Sequence, residues 1–506
     1  MKGVAAEPAA ERTAEARPQG HGRFVTGSTF RHVAVMTLTG ALGLTFMFLV
    51  DFVTLLYVAR LGDPQATAAM GYAFTLQFFT ISVGIGFAVS ATALVARSLG
   101  ARDRAAARRQ ATSALCITVG VLTVTAVLAI LAREPLLRLL GAEGETLAIA
   151  SRFLLFTLPS LPVMTFGMVG SSILRAEGDA RRAMQVTLSA GIIAAVLDPF
   201  LIFEDVLGLP GLGWEVDGAA AVLLLSRGLT AVFAIRYVVG VHDLAARPEW
   251  RAVRRDAAAI FAIALPAAAT QLSTPVGNFL LTAAMSRHGD EAVAGWAVVT
   301  RMTILAFGGI FALSGAIGGI LSQNWGAGRM DRVKRAYRDA LVFAALYVGA
   351  TWALLWAASD LIARGFALSE AGAAVVREFA VIGAGAFVFA GALFVANAAF
   401  NNLGKPVWST ACNWGRDAAA IPLALLAFGA LGAGAAGVVW AQAAATVAAG
   451  IAAAIWARAY VARLETAARP SAGWGAAPAI PSGRAADPGR AAGVGDAGLA
   501  PEAADR

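Results

Sequence analysis

Charge is scarce in this sequence. Asp, Glu, Lys and Arg make up 14% of its 506 residues while 58% are hydrophobic; a soluble domain carries about 25% charged residues. A soluble chain of this length would also divide into domains joined by polar linkers, so a water-soluble enzyme is excluded. Only two cysteines occur, Cys116 and Cys412, both inside apolar runs. They give no disulfide framework and no paired spacing for a metal. The four histidines, His21, His32, His242 and His288, stand outside or at the ends of the apolar runs and form no ligand cluster. A phosphate-binding glycine loop and a nucleophile constellation are both lacking, which argues against an ATP-driven pump and against a membrane enzyme. The first 30 residues are polar and have neither the apolar core nor the cleavage pattern of a signal peptide. The first apolar run is therefore expected to insert and to stay. No metal and no cofactor is expected.

Long apolar runs are present in number. They predict membrane-spanning helices near 33–58, 67–96, 111–132, 147–174, 183–203, 218–240, 257–286, 291–323, 337–363, 372–400, 407–430 and 434–460. Each is long enough for a hydrocarbon core about 30 Å thick. The expected fold class is an all-α membrane protein, with twelve transmembrane helices in two six-helix lobes. The expected divisions are a polar N-terminal tail at 1–30, an N-lobe at 31–245, a C-lobe at 246–465 and a disordered Ala/Gly/Pro/Arg-rich tail at 466–506.

The net charge of +8 points to lipids rather than to nucleic acid. Basic residues sit in short loops and no stacking aromatics are interleaved with them. Arg97, Arg102, Arg104, Arg108 and Arg109 lie between runs two and three, Arg247, Arg251, Arg254 and Arg255 between six and seven, and Arg329, Arg332, Lys334, Arg335 and Arg338 between eight and nine. The loop between five and six carries Glu204, Asp205, Glu215 and Asp217 and no basic residue. By the positive-inside rule this places both termini in the cytoplasm, in a cell's inner membrane.

An internal repeat runs through the chain. "DFVTLLYVARLGD" from Asp51 matches "NFLLTAAMSRHGD" from Asn278 at an offset of 227 residues. "SLGARDR" and "NWGAGRMDR" align Gly100 with Gly326, and "ILRAEGDA" and "AFNNLGKP" align Gly178 with Gly404, both at an offset of 226. Pro199 and Pro422 differ by 223. An even number of spans in each half keeps the halves in the same orientation, so the repeat is parallel, with the substrate path expected between halves that rock against each other.

The segments "VDFVTLLYVARLGD", "SLGARDRAAARR", "LRAEGDARRAM", "VLDPFLIF", "AVAGWAVVTRM" and "SQNWGAGRMDRVKRA" together resemble the multidrug and toxic compound extrusion (MATE) family, in particular its DNA-damage-inducible F-type subgroup, across residues 30–460. The resemblance implies outward export of drug-like, often cationic organic compounds, coupled to inward H⁺ or Na⁺. A lipid-linked oligosaccharide flippase or polysaccharide exporter of the same superfamily is the alternative, and would want a cationic cavity. The expected partners are small organic substrates and membrane lipids, with the protein acting as a monomer.

Ionisable residues inside spans are costly and mark function by default. Asp51 and Asp198 lie roughly 13 and 9 Å below the same ends of their spans at 1.5 Å per residue. They are the expected proton-coupling pair, and the resemblance marks the same two residues. The resemblance would also supply oxygens for Na⁺ four residues before Asp198 and after a "GAA" run. Here those positions are Ala194 and Val222 with Leu223, which favours H⁺, since a hard cation wants about six oxygens. The family's early proline in the first span is missing; Gly40 and Gly43 stand in that stretch. In the second half Asn278 and Ile421 replace the two acids. Arg227, about 15 Å deep, is placed to pair with one of the carboxylates, and Arg301 reads as cavity-facing or as a packing charge. Arg416 and Asp417 are adjacent and so are expected on different faces of their helix. Candidate cavity residues are Gln77, Phe78, Met164, Gln271, Asn278, Met302 and Asn397, polar or apolar groups of the kind that line drug pockets.

Overall fold

The computed structural model describes residues 22–206 and 208–468. The side chains of Asp51, Ala467 and Ala468, most of the polar N-terminal tail and nearly all of the C-terminal tail lie outside the described residues. The described residues form helices joined by loops, with a two-stranded hairpin of β1 (Asp205–Val206) and β2 (Leu209–Pro210). In chain order the helices are α1 (Thr29–Ala59), α2 (Pro64–Gly100), α3 (Arg104–Leu139), α4 (Gly144–Glu177), α5 (Ala180–Ile202), α6 (Glu215–Val241), α7 (Trp250–His288), α8 (Asp290–Gly326), α9 (Met330–Gly365), α10 (Glu370–Asn402) and α12 (Gly434–Thr466), with α11 between the last two. These eleven are long and apolar enough to cross a membrane. The twelfth, α11, runs through Pro406–Trp414, a π-helical stretch Gly415–Ala420 and Ile421–Ala430. Arg416 and Asp417 at its centre lower its hydropathy. Helices satisfy every backbone hydrogen bond within the segment, which is what an apolar span requires.

Side chains start several of these helices: Asp63 accepts from Gln65 N (2.8 Å), Asp103 from Ala106 N (2.8 Å) and Asp179 from Arg182 N (3.1 Å). The duplication is written in the backbone as well. Left-handed turns recur in pairs at the repeat offset: Gly62 (φ 78°) with Gly289 (95°), Arg102 (64°) with Gly328 (70°), Gly141 (98°) with Ala367 (49°), and Gly178 (92°) with Gly404 (96°).

The basic loops and the two ends of the described chain define one face, the acidic loop after α5 the other. Near the basic face the halves meet through a near-symmetric contact. A Cβ on Gly100 would lie 2.0 Å from Gln323 O, and one on Gly326 would lie 2.0 Å from Arg97 O. Arg97 and Gln323 are themselves 226 residues apart, so a pseudo-two-fold axis passes through this point. Only glycine lets the two backbones come so close. The Arg97 guanidinium stacks 4.0 Å over Trp325, closing the contact.

The segment before α1 ties the halves together at the same level. Phe24 is buried. Its N–H donates to Gln323 Oε1 (2.9 Å), while Gln323 Nε2 donates to Ala176 O in the first half (2.6 Å). Arg332 donates to the carbonyls of Phe24, Thr26 and Gly27 at 2.8–3.0 Å. The apolar clusters follow the same division. The large cluster of the second half takes in Phe24, Val33, Met36 and Ala180, and a first-half cluster takes in Ile260 and Ala264 of α7. The cluster around Val58, Met70, Leu154 and Val216 is built from α1–α6 alone.

His242, buried just after α6, holds the loop between α4 and α5. Its Nε2 lies 2.8 Å from Asp179 Oδ2, and its carbonyl accepts from Arg104. Burial pushes the Asp179 carboxyl up, but hydrogen bonds from His242 and Arg182 outweigh it and hold the group well below the usual carboxylate range.

Two outcomes are expected. Gly326→Val should lower the melting temperature of the purified protein by several degrees, whereas Gly349→Val, where a Cβ meets open space, should leave it within a degree. Because the folded Asp179 binds its proton more weakly than the unfolded one, its contribution to stability is complete above the unfolded value of about 3.9 and fades as pH falls below it. Asp179→Asn should therefore melt lower than wild type at pH 7, with the gap narrowing below about pH 4.

Candidate functional site

The first half gathers its ionisable interior on α1, α5 and α6. Asp198 on α5 is 1% exposed and accepts a hydrogen bond from Thr54 Oγ1 of α1. Thr54 follows Asp51 by three residues, so both positions lie on one face of α1; the Asp51 side chain is outside the described residues. The next residue, Pro199, has no N–H to offer the preceding turn. Beyond it the end of α5 is tied by the loop that returns from the hairpin. Leu212 N donates to Phe200 O and Trp214 N to Leu201 O, both at 2.8 Å. Gly211 and Gly218 make this possible, since a Cβ on either would fall within 2.4 Å of a carbonyl oxygen of α5 or of the residue just after it.

Arg227 on α6 is buried. It donates to Thr157 O (2.9 Å), Ser160 Oγ (2.5 Å) and Gln77 Oε1 (2.9 Å), and Gln77 Nε2 donates to Thr157 Oγ1 (3.0 Å). A break in α4 supplies the acceptors. Leu158–Ser160 form a 3₁₀ turn in which Leu161 N–H bonds Leu158 O, releasing the Thr157 carbonyl to the arginine. These bonds join α6 to α2 and α4 through Arg227.

The second half holds its charges differently. Arg416 and Asp417 do not point to different faces: Arg416 Nε and Nη2 donate to the two oxygens of Asp417 at 2.7 and 2.9 Å. The π-helical turn changes the angle between successive residues and lets neighbours meet. Asp417 is 1% exposed and packs against Gly277 of α7, where a Cβ would come within 2.7 Å of its Oδ1. It lies one turn before Ile421, so the second half does carry an intramembrane acid, displaced from the position aligned with Asp198.

The other sequence candidates separate by exposure. Gln77 is buried in the Arg227 network. Asn397 is buried and accepts from Asn413 Nδ2 (2.9 Å). Met302 is buried in the core of the second half, and Met164 packs on the α1–α6 cluster. Gln271 is half-buried, while Phe78 and Asn278 are exposed. Arg301 on α8 is exposed as well, its guanidinium 5.7 Å over the ring of Phe52 on α1. Thr54, Thr157 and Ser160 were not singled out from sequence. The "TLPSLP" run, two prolines within one span, is the signal that a carbonyl would be freed there.

The profile of the MatE family matches residues 41–200 and 266–426, one match in each half and together more than half of the chain. The chain is 28% identical over 311 residues to the FAD transporter of Shewanella oneidensis, covering 61% of this chain and 68% of that protein. It is 24% identical over 323 residues to the multidrug export protein MepA of Staphylococcus aureus, covering 62% and 69%. Its fold matches that of the MATE transporter VcmN of Vibrio cholerae with a TM-score of 0.81 at 21% identity, over 87% of this chain and 98% of that one. It also matches a MOP superfamily transporter from Pyrococcus furiosus with a TM-score of 0.79 at 23% identity, over 87% and 98%.

Removing the Gln77 amide leaves the buried Arg227 guanidinium short of an acceptor, a loss of about 1–3 kcal/mol. Gln77→Leu should lower the thermal midpoint in detergent, and Phe78→Leu at the neighbouring exposed position should not.

Proposed function

Because this chain belongs to the MatE family of membrane transporters, we propose that it is a secondary antiporter that exports drug-like organic compounds in exchange for H⁺ by rocking of its two lobes. It is a transporter and not an enzyme. The proposal places it in the inner membrane of the cell, both ends of the chain cytoplasmic, acting as a monomer with the proton as coupling ion and no cofactor.

One observation carries the coupling: Asp198 is buried inside a span with a threonine hydroxyl as its partner, and among the described residues no cation pairs with it. A carboxylate so placed is negative when empty and neutral when a proton is bound, and the cost of burying the charge differs between those states. The alternation of charge between lobe states is what an antiporter needs. Sodium is disfavoured because Ala194 and Val222 add no side-chain oxygens around the carboxylate, and a hard cation wants about six. The seam closed by Gly100 and Gly326 lies at the basic face, which the positive-inside rule assigns to the cytoplasm. In this reading the conformation described is closed to the cytoplasm, the state in which Asp198 takes up its proton from outside.

The cargo has a second reading. MepA is a multidrug export protein and the Shewanella relative is an FAD transporter, so an anionic cargo is as compatible with the family as a cationic one. The exposed guanidinium of Arg301 favours it.

Coupling is tested in inverted vesicles under an imposed pH gradient, by following a fluorescent organic cargo. Asp198→Asn should lose at least tenfold of the gradient-driven accumulation while keeping wild-type expression and melting behaviour. Accumulation that follows a Na⁺ gradient and ignores pH would reverse the choice of ion.

A further inference from the structure

We propose that Arg301 selects the cargo, and that the class it selects is anionic and aromatic: a planar ring system bearing a phosphate or a carboxylate. This rests on the reading of the chain as an exporter and names the substrate class of that site.

Arg301 lies eleven residues into α8 from Asp290, about 17 Å at 1.5 Å per residue, near the middle of a hydrocarbon core about 30 Å thick. The other guanidiniums deep in the spans are met by acceptors. Arg416 is met by both oxygens of Asp417, and Arg227 by Thr157, Ser160 and Gln77. Arg301 is exposed, donates no hydrogen bond to a described residue and pairs with no described carboxylate. Its contact is the face of Phe52, which is itself 45% exposed. Phe52 belongs to the first helix of the opposite lobe, so the charge stands at the seam between the halves, on the path that their rocking opens. An exposed guanidinium at that depth is costly in lipid and calls for water or an anion.

The chemistry of the pair defines the ligand. A guanidinium fork matches phosphate and carboxylate with two parallel hydrogen bonds. The neighbouring phenyl face offers a flat apolar surface on which a ring can stack. Asn278, exposed on α7 about 15 Å from the end of that helix, adds a neutral donor and acceptor at similar depth. A cationic cargo would meet repulsion at Arg301.

The test uses two probes with the same fluorescent ring, riboflavin and flavin mononucleotide, which differ by one phosphate. They are titrated against the full-length protein in lipid nanodiscs. Wild type should bind the phosphorylated probe at least tenfold more tightly. Arg301→Gln should erase that preference, Arg301→Lys should keep part of it, and Phe52→Leu should weaken both probes alike. Thermal melts of each variant establish that it is folded, and the lysine variant keeps the test alive should the glutamine variant not be. Equal affinity of wild type for the two probes, binding of neither, or a preference that survives in Arg301→Gln overturns the proposal. Proton coupling fails separately. A wild type that prefers the phosphorylated probe yet ignores a pH gradient keeps this inference and sinks the coupling. One that follows the gradient but does not discriminate between the probes sinks only this inference.

Discussion

A charge inside a bilayer span has to be met by something, and the ways in which this chain meets its charges organise the rest of the structure. Asp198 is met by a hydroxyl, Asp417 by its neighbouring arginine, Arg227 by a carbonyl, a hydroxyl and an amide. A local feature of the helix accompanies each: a proline after Asp198, a π turn at Arg416, a 3₁₀ turn in α4. The Asp198, Asp417 and Arg227 side chains at these places are buried in protein, although the π turn itself exposes Gly415, Ala418 and Ala419. Apolar stretches are interrupted as well, by the π turn Phe379–Gly383 in α10 and at Phe307 in α8.

The scaffold that carries these sites is a duplication whose halves meet tightly at the basic face. The near-symmetric approach of Gly100 to Gln323 and of Gly326 to Arg97 brings backbones together at the basic face. The strap through Phe24, anchored by Arg332 and Gln323, fastens the same level. Near the acidic face one cluster of the first half packs on itself alone. Motion that opens this seam must separate the two glycine contacts and part Gln323 from the Ala176 carbonyl.

Much of this was legible in the sequence. The composition and the spacing of apolar runs located every helix, but the apolar core alone marked the spans, and polar extensions such as Arg104–Gln110 and Met330–Ala336 at the starts of α3 and α9 were left out. The repeat was legible through Gly62/Gly289, Gly100/Gly326 and Gly178/Gly404 because left-handed turns and close backbone approaches restrict the residue type. Arg102/Gly328 and Gly141/Ala367 share the same left-handed geometry without sharing a residue, and a comparison of letters passes over them. The Arg416–Asp417 pair was misread because the face of a residue was inferred from a regular 3.6-residue period, which a π turn breaks. The Arg227 network was invisible for a related reason: its acceptors include a backbone carbonyl whose availability depends on which N–H groups the two prolines of α4 remove and redirect.

The two halves therefore differ in how these buried acids are held. Asp417 is held by two hydrogen bonds from a permanently charged neighbour and packed against Gly277. Removing that side chain would leave the Arg416 guanidinium without its counter-ion, a heavy penalty. Asp198 has a hydroxyl, which can donate to the carboxylate and can equally accept from the protonated acid. The same partner serves both charge states, and no cation is stranded when the charge disappears. The scaffold is symmetric, but these two buried acids are not alike: Asp198 is met by a group that both gives and takes a hydrogen bond, and Asp417 by a permanent charge.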